Sequence, residues 1–536
     1  MYAMAGGPKW MKAATKSLAT LCAVQQQGDT LQTYAFFTDN TGTIVAPFKP
    51  IQNARQAWIK WGGKRYEVCR IAGFSSLYNV VRLQTTGIKK NSCLPYTQQS
   101  FVKGETLYLM PQGIADEVTQ VEKAGSYDYY TLKSLANPKW VGAPVISESG
   151  QVAGILQAPL TTTNAPYYAL DIRFALELTI RSIDANHADL RNCSIPKLLP
   201  TDEEQASSFL YLASTLKPEE RITYAEDFIR LFPQNSTGYL QKAEAQTVMG
   251  SLSDTWTTYE QALKLLPTKS DEILYARARA IYNKVLQQPQ TNEGWTLEQA
   301  LTDINEAIQK NPQPLYTLHK ANVLYAQKQY NEAYKHFMEL SQTPMRSAEF
   351  FLYAWQCKRN LQADNEELLA LNDSALVCFA KPYPTEAAPY LYLRSNTLRD
   401  MGRLREAISD QNEYEHLMVG QQLTAEFYYQ REQMEVQVRM FGPAVNDIQR
   451  ALALAPQEPV FHAESAVLLI RLGDLDTAIT ECQRAAELDA DFPDAYRLWG
   501  ICLREKGDKT GARKQLQKAI ELGDTLAQKL LDGLAE

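Results

Sequence analysis

The stretch 493–526, PDAYRLWGICLREKGDKTGARKQLQKAIELGDTL, follows two segments of equal length. Segments 425–458 and 459–492 lie against it without a gap (459 − 425 = 34; 493 − 459 = 34). Ala444, Ala478 and Ala512 fall at matching places, and so do Ala451, Ala485 and Ala519 seven residues later. Seven residues is two helical turns, so each such pair of alanines shares one helix face. Gly473 and Gly507 fall between the two halves of their segments, where a tight turn needs a permissive backbone. Pro456, Pro267 and Pro312 each close a unit, since proline ends a helix more readily than it continues one. The period predicts stacked pairs of amphipathic helices.

Working outward, the same texture of Ala, Leu, Glu, Gln and Arg begins near residue 202. It holds about nine helix pairs up to 526, with insertions near 284–296 and 376–387 and a short capping helix at 527–536. Trp499-Gly500, Gly507, Ala512 and Ala519 resemble the signature positions of the tetratricopeptide repeat. Further units read YEQALKLLP (259–267), LEQALTDINEAIQKNP (297–312), NEAYKHFMEL (331–340) and GRLREAISD (402–410). The resemblance implies an all-α solenoid with a concave face lined by the first helix of each pair. Groove-facing side chains in that family sit near the fifth, ninth and twelfth repeat positions. Carried over, these are Tyr275, Arg279 and Tyr282; Leu318, Asn322 and Tyr325; Tyr392, Asn396 and Arg399; then Tyr429 and Gln433. Such a stripe suits a protein or peptide partner, because tyrosine offers rigid contact area with a polar tip. The alternative is that these tyrosines only pack one repeat on the next. Ala463, Val467 and Ile470 form an apolar stretch suited to docking a helix or another domain.

At roughly 150 residues per domain, 536 residues suggest two to four domains. Hydrophobic residues make up 45% and charged residues 21%, an ordinary globular composition. No apolar run approaches the length of a membrane-spanning helix, which argues against an integral membrane protein. Charge divides the chain: residues 1–200 hold 20 Lys/Arg and 13 Asp/Glu (+7), leaving 34 and 48 (−14) for 201–536. An acidic repeat module is a poor match for nucleic acid and favours a basic or neutral ligand.

The N-terminal part reads as short strands, among them LQTYAFFTDNTGTIVAPF (31–48), YEVCRIAG (66–73), YNVVRLQ (78–84), ETLYLMP (105–111) and YYALDI (167–172). A helix-like RFALELTIRSID (173–184) follows. AFFTDNTGTIVAPFKPI (35–51), LYNVVRLQ (77–84) and KWVGAPVISESGQVAGI (139–155) resemble, in order and separation, the catalytic motifs of trypsin-like serine proteases of the bacterial periplasmic type. The resemblance implies a double β-barrel with Lys49 at the histidine position, Asn79 at the aspartate and Val141 at the serine. A serine hydroxyl becomes nucleophilic through an adjacent base, usually imidazole. Residues 1–186 contain no histidine, and a branched hydrocarbon stands where the hydroxyl belongs. The expected module is a pseudoprotease, with no catalytic residue and no cofactor.

None of the eight cysteines makes a CxxC motif or a zinc spacing, so no metal site is expected. Cys69 and Cys93 are either paired in an oxidising compartment or separate thiols. Ala3-Met4-Ala5 is either the remnant of a signal-peptidase site or chance. The sequence therefore divides into an N-terminal segment (1–30), a trypsin-like barrel domain (31–190), a linker (191–201), repeats (202–526) and a cap (527–536). The expected work is scaffolding in the periplasm or cell envelope, with the cytoplasm as alternative. A serine-type peptidase with substrate-recruiting repeats, or a structural subunit attached to an envelope complex, are the competing possibilities.

Overall fold

The computed structural model describes residues 8–157, 165–288 and 294–534; Ala3-Met4-Ala5 lies outside them. Two compact units, Met1–Ala280 and Ile281–Glu536, are described in turn.

Among the described residues the first unit holds twelve strands. β1 Leu18–Gln25, β2 Thr30–Phe37, β3 Thr43–Ala46, β4 Ala54–Trp61, β5 Lys64–Ser75 and β6 Val80–Thr85 close one antiparallel barrel in the order β1-β2-β3-β6-β5-β4. β7 Thr106–Leu109, β8 Ile114–Ala124, β9 Tyr127–Leu135, β10 Pro144–Ile146, β11 Val152–Gln157 and β12 Pro166–Asp171 close a second. Read from β7, its order is β7-β8-β9-β12-β11-β10, the first barrel's topology repeated. This is the all-β double barrel of trypsin-like proteases. Closure leaves no exposed sheet edge. Alternating inward residues such as Leu21, Ala35, Phe37, Ile44, Ile59 and Leu83 fill the first barrel. Phe36, Val45 and Val80 of that barrel pack with Ala143, Ile146 and Leu170 of the second.

Two boundaries differ from the sequence expectation. The barrel begins at Leu18 rather than 31, because LATLCAVQ pairs with both β2 and β4. Ahead of it, helix α1 (Met11–Ser17) follows Trp10, whose indole Nε1 donates to the Glu148 carbonyl at 3.2 Å in the second barrel. Residues 191–201 are no free linker. Ser194 and Leu198 donate backbone hydrogen bonds to Ala54 and Ile71, and Ile195 and Leu199 are buried in the barrel core.

Helix α2 (Lys49–Gln52) lies between β3 and β4, and α3 (Ile172–Glu177) follows β12. The expected helix over RFALELTIRSID stops early because Arg82 Nη1 captures the carbonyls of Leu176 (2.7 Å) and Leu178 (2.8 Å). α4 (Glu203–Leu212) and α5 (Pro218–Leu231) bury Phe209, Tyr224 and Phe228 in the same cluster as the first barrel's interior. Arg70 of β5 donates to Asp227 of α5 through Nε (3.2 Å) and Nη2 (3.0 Å). α6 (Ser236–Met249), α7 (Leu252–Leu265) and the start of α8 (Ser270–Gln287) complete this unit.

In the second unit, α9 (Leu297–Lys310) precedes the antiparallel pairs α10/α11 (Pro314–Ala326, Tyr330–Leu340), α12/α13 (Ala348–Asn360, Asn365–Leu376) and α14/α15 (Ala388–Asp400, Leu404–Leu417). α16/α17 (Ala425–Gln437, Phe441–Leu454), α18/α19 (Pro459–Leu472, Leu475–Leu488) and α20/α21 (Pro493–Glu505, Lys509–Glu521) follow, then α22 (Thr525–Asp532). This is the all-α, tetratricopeptide-like repeat fold. Gly473 and Gly507 take φ of 81° and 86° at the turns between helices, a region that other residues enter at a cost. The alanines of the 34-residue period (Ala444, Ala478, Ala512, Ala451, Ala485, Ala519) are all fully buried, so helices approach closely along that column. Ala463, Val467 and Ile470 are buried or half-buried with Phe492, Leu498 and Trp499, so the next pair already covers that apolar stretch. Among the described residues no helix is long and apolar enough to cross a membrane, and all eight cysteines are free thiols.

Candidate interaction site

In the double barrel the three positions aligned with a catalytic triad come to the seam between the barrels. Lys49 opens α2 with its side chain exposed. Its backbone N donates to Asn79 Oδ1 at 2.9 Å, while Phe48 N donates to the Asn79 carbonyl at 3.2 Å. Asn79 does this with φ of 45°, a left-handed conformation that asparagine enters more readily than most residues. It clamps backbone rather than orienting a base. The Val141 carbonyl accepts from Thr33 Oγ1 (2.8 Å) and Tyr34 N (3.2 Å). A Cβ on Gly142 would lie 2.2 Å from the Tyr34 carbonyl oxygen, so the seam is closed tightly there.

A serine-nucleophile site also needs two amides to hold the developing anion, from the nucleophile and from the residue two before it. Here Val141 N donates to the Pro138 carbonyl at 3.4 Å, and Lys139 N donates to Asn137 Oδ1 at 3.0 Å. Ser147 and Ser149 bond each other at 2.9 Å within the following turn. His187 packs edge-on against Phe74 at 4.9 Å. No hydroxyl–base pair is assembled among these residues.

In the second unit a cleft of about 480 Å³ opens between α12, the start of α13, α14 and α16. Tyr392, Asn396 and Arg399 of α14, all expected at the groove, line it with Trp355 and Arg359 of α12 and Gln430 of α16. The cleft is rich in hydrogen-bond donors. Trp355 is 7% exposed, and its indole N–H has no partner. The Arg359 guanidinium lies over that indole, 5.1 Å from the ring centre. Arg399 reaches Asp400 (3.3 Å) and Gln430 Oε1 (3.4 Å), both long contacts. Asp400 is the one carboxylate in the lining.

The other expected contacts are scattered. Leu318, Asn322, Tyr325, Tyr429 and Gln433 do not line this cleft. Tyr325 stacks edge-on with Tyr330 (5.3 Å) and accepts from Asn360 Nδ2 (3.2 Å). Tyr429 packs on Phe461 at 5.1 Å, and burial, with the Glu464, Glu432 and Glu426 carboxylates, pushes its hydroxyl up to about 12. Tyr282 meets the His319 ring at 5.3 Å, while in the other unit Arg279 lies over Tyr275 at 5.7 Å. Much of the tyrosine stripe therefore packs repeat on repeat. Trp355, Arg359 and Gln430 escaped the sequence argument. Arg359 occupies in α12 the twelfth position that Arg399 occupies in α14, a column that α12's weak match to the repeat pattern hid.

No protein-family model matches the chain. Two curated relatives match part of it: the E3 ubiquitin-protein ligase CHIP of Arabidopsis thaliana (29% identity over 83 residues, 16% of this chain and 30% of that protein) and the small glutamine-rich tetratricopeptide repeat-containing protein 2 of Mycosarcoma maydis (30% over 95 residues, 18% and 27%). The chain thus spans less than a third of either. Among solved structures, YrrB, described as a TPR protein with an unusual peptide-binding site, is 19% identical, covers 42% of this chain and 94% of its own, and has a TM-score of 0.27. The active form of an M. tuberculosis protease is 12% identical, with 33% and 93% coverage and a TM-score of 0.28. An HtrA-type protease solved with a tripeptide is 14% identical, with 31% and 60% coverage and a TM-score of 0.28.

Proposed function

We propose that this chain is a non-catalytic interaction scaffold whose repeat face holds a protein segment, with an acidic group of that segment seated in the Trp355–Arg399 cleft. The carrying observation is the lining itself. Two guanidiniums and the Trp355 ring line one cavity, and its only carboxylate is already in contact with Arg399. A carboxylate there would gain charge-assisted bonds from arginine. At the cleft this reading departs from the expectation of a basic or neutral partner. The net −14 of residues 201–536 sets the long-range field, but the cleft's own donors set what is held at contact distance.

The barrel half contributes support or binding in this reading, not cleavage. Lysine, asparagine and valine stand at the aligned triad positions, and the amides of 139 and 141 are engaged within their own turn. A serine-reactive fluorophosphonate probe is expected to leave residues 1–200 unlabelled; an adduct there supports the peptidase alternative instead. On the sequence resemblance alone we place this work in the bacterial envelope, which fractionation of the native host checks.

Binding is tested by fluorescence anisotropy with labelled extended peptides that differ only in carrying Glu/Asp or Lys/Arg. The acidic series is expected to bind more tightly, to weaken as salt rises, and to lose at least tenfold in affinity in an Arg359→Ala/Arg399→Ala variant. Equal or stronger binding of the basic series, or an unaffected double variant, overturns the assignment.

A further inference from the structure

The first helices of successive pairs share a register, and their eighth residues form a column: Ala321, Trp355, Ser395, Glu432, Ala466 and Gly500. Space in that column is short. A Cβ on Gly500 would lie 2.7 Å from Leu516 Cγ and 3.3 Å from the Ala512 carbonyl oxygen. Glu432 places a carboxyl group in this column. It is 1% exposed, and neither of its oxygens has a hydrogen-bond partner. Three residues on, Glu435 is 2% exposed and its Oε2 is likewise unpartnered.

The surroundings offer these acids little relief. Glu432 is faced by Glu435 of its own helix, Asp447 of α17 and Glu464 of α18. Glu435 is faced by Asp447, by Glu415 of α15 and by one cation, Arg431. Arg431 is already committed: it holds Asp447 through Nε (2.6 Å) and Nη2 (2.9 Å), and Glu415 through Nη2 (2.7 Å). A buried carboxylate without donor or cation is strongly disfavoured against its protonated form.

We propose that the α16/α17 pair is a proton-dependent joint: it packs like its neighbours while Glu432 and Glu435 are protonated, and it opens when they ionise. Burial first, then the neighbouring carboxylates, push Glu432 up to about 8 and Glu435 up to about 7. Both folded-state values lie above the ordinary 4.5, so the folded pair holds more protons than the unfolded chain. The stability they confer is fully present below about 4.5 and is lost as pH rises through about 7 and 8. Gln430, on the same helix, lines the cleft, so opening would also remove one wall of it. That consequence rests on the cleft being the ligand site; the joint itself does not.

Hydrogen exchange of the full chain, corrected for intrinsic rates, tests the joint. Protection of residues 425–454 is expected to fall at least tenfold between pH 6 and pH 9, while residues 493–521 change far less. Glu432→Gln/Glu435→Gln, which cannot ionise, is expected to abolish that difference. Where the amide variant fails to fold, Glu432→Ala, which restores the residue of Ala466, serves with Glu435→Gln. Infrared difference spectra provide an independent readout, with a protonated-carboxyl band lost over the same pH range and missing from the variants. Unchanged protection in the wild type, an equal fall in the variants, or no titrating carboxyl band overturns the proposal.

Discussion

The last two helix pairs and the pairs from α12 to α17 follow one register, yet they satisfy their buried polar groups very differently. Within the described residues from Pro459 onward, every buried side-chain nitrogen and oxygen has a partner, and the eighth-position column holds Ala466 and Gly500. In the middle pairs Trp355, Ser395, Gln411, Glu432 and Glu435 all carry buried atoms without one. Unsatisfied buried groups cost stability wherever they occur. The end of the array is built to stack, and the middle carries features that stacking does not require.

The largest expected effect sits where the middle has solved its own problem. Arg431 and Asp447 are each 4% exposed and bound to one another, with Glu415 attached. Arg431→Met leaves Asp447 buried without its cation and is expected to cost about 3–5 kcal/mol in urea unfolding. Arg504→Met, which breaks an exposed contact with Glu505, is expected to cost less than about 1 kcal/mol. Equal losses would erase the contrast between the regions.

A smaller effect sharpens it. Gly500→Ala forces Leu516 to move in the well-packed end and is expected to cost about 1–3 kcal/mol. Ser395→Ala removes a fully buried hydroxyl that has no partner, and is expected to be neutral or slightly stabilising in thermal melts. A destabilisation as large as that of Gly500→Ala would mean the hydroxyl has a role that the hydrogen-bond pattern does not reveal.

How legible this was in the sequence depended on the range of the cause. The 34-residue period marks small residues that must touch, so Ala444, Ala478 and Ala512 announce the helix pairs directly. The barrels were legible through two hairpins, but β1 was not, because LATLCAVQ has no clear apolar–polar alternation: Leu21–Val24 are buried in succession, in a strand paired with both β2 and β4. Residues 191–201 look like a linker because two prolines, Pro196 and Pro200, interrupt a short stretch without helical or strand period, yet their backbone is tied to Ala54 and Ile71. At the cleft, Tyr392, Asn396 and Arg399 followed from position counting. Trp355 did not, since a bulky indole in a column of small residues weakens the pattern by which α12 would be found. Glu432 was hidden likewise: a glutamate on a polar-rich helix reads as surface until the neighbouring helices bury it.

The most direct measurement places a photo-crosslinking benzoylphenylalanine at Leu393, in the cleft, and in a second protein at Trp499 of α20 in the regular end. Each is irradiated with the labelled acidic peptide. Adducts from position 393 that disappear in the Arg359→Ala/Arg399→Ala background, with little or none from position 499, are what a ligand seated in the irregular middle requires. Equal crosslinking from both positions, or adducts at 393 that persist without the arginines, would contradict it.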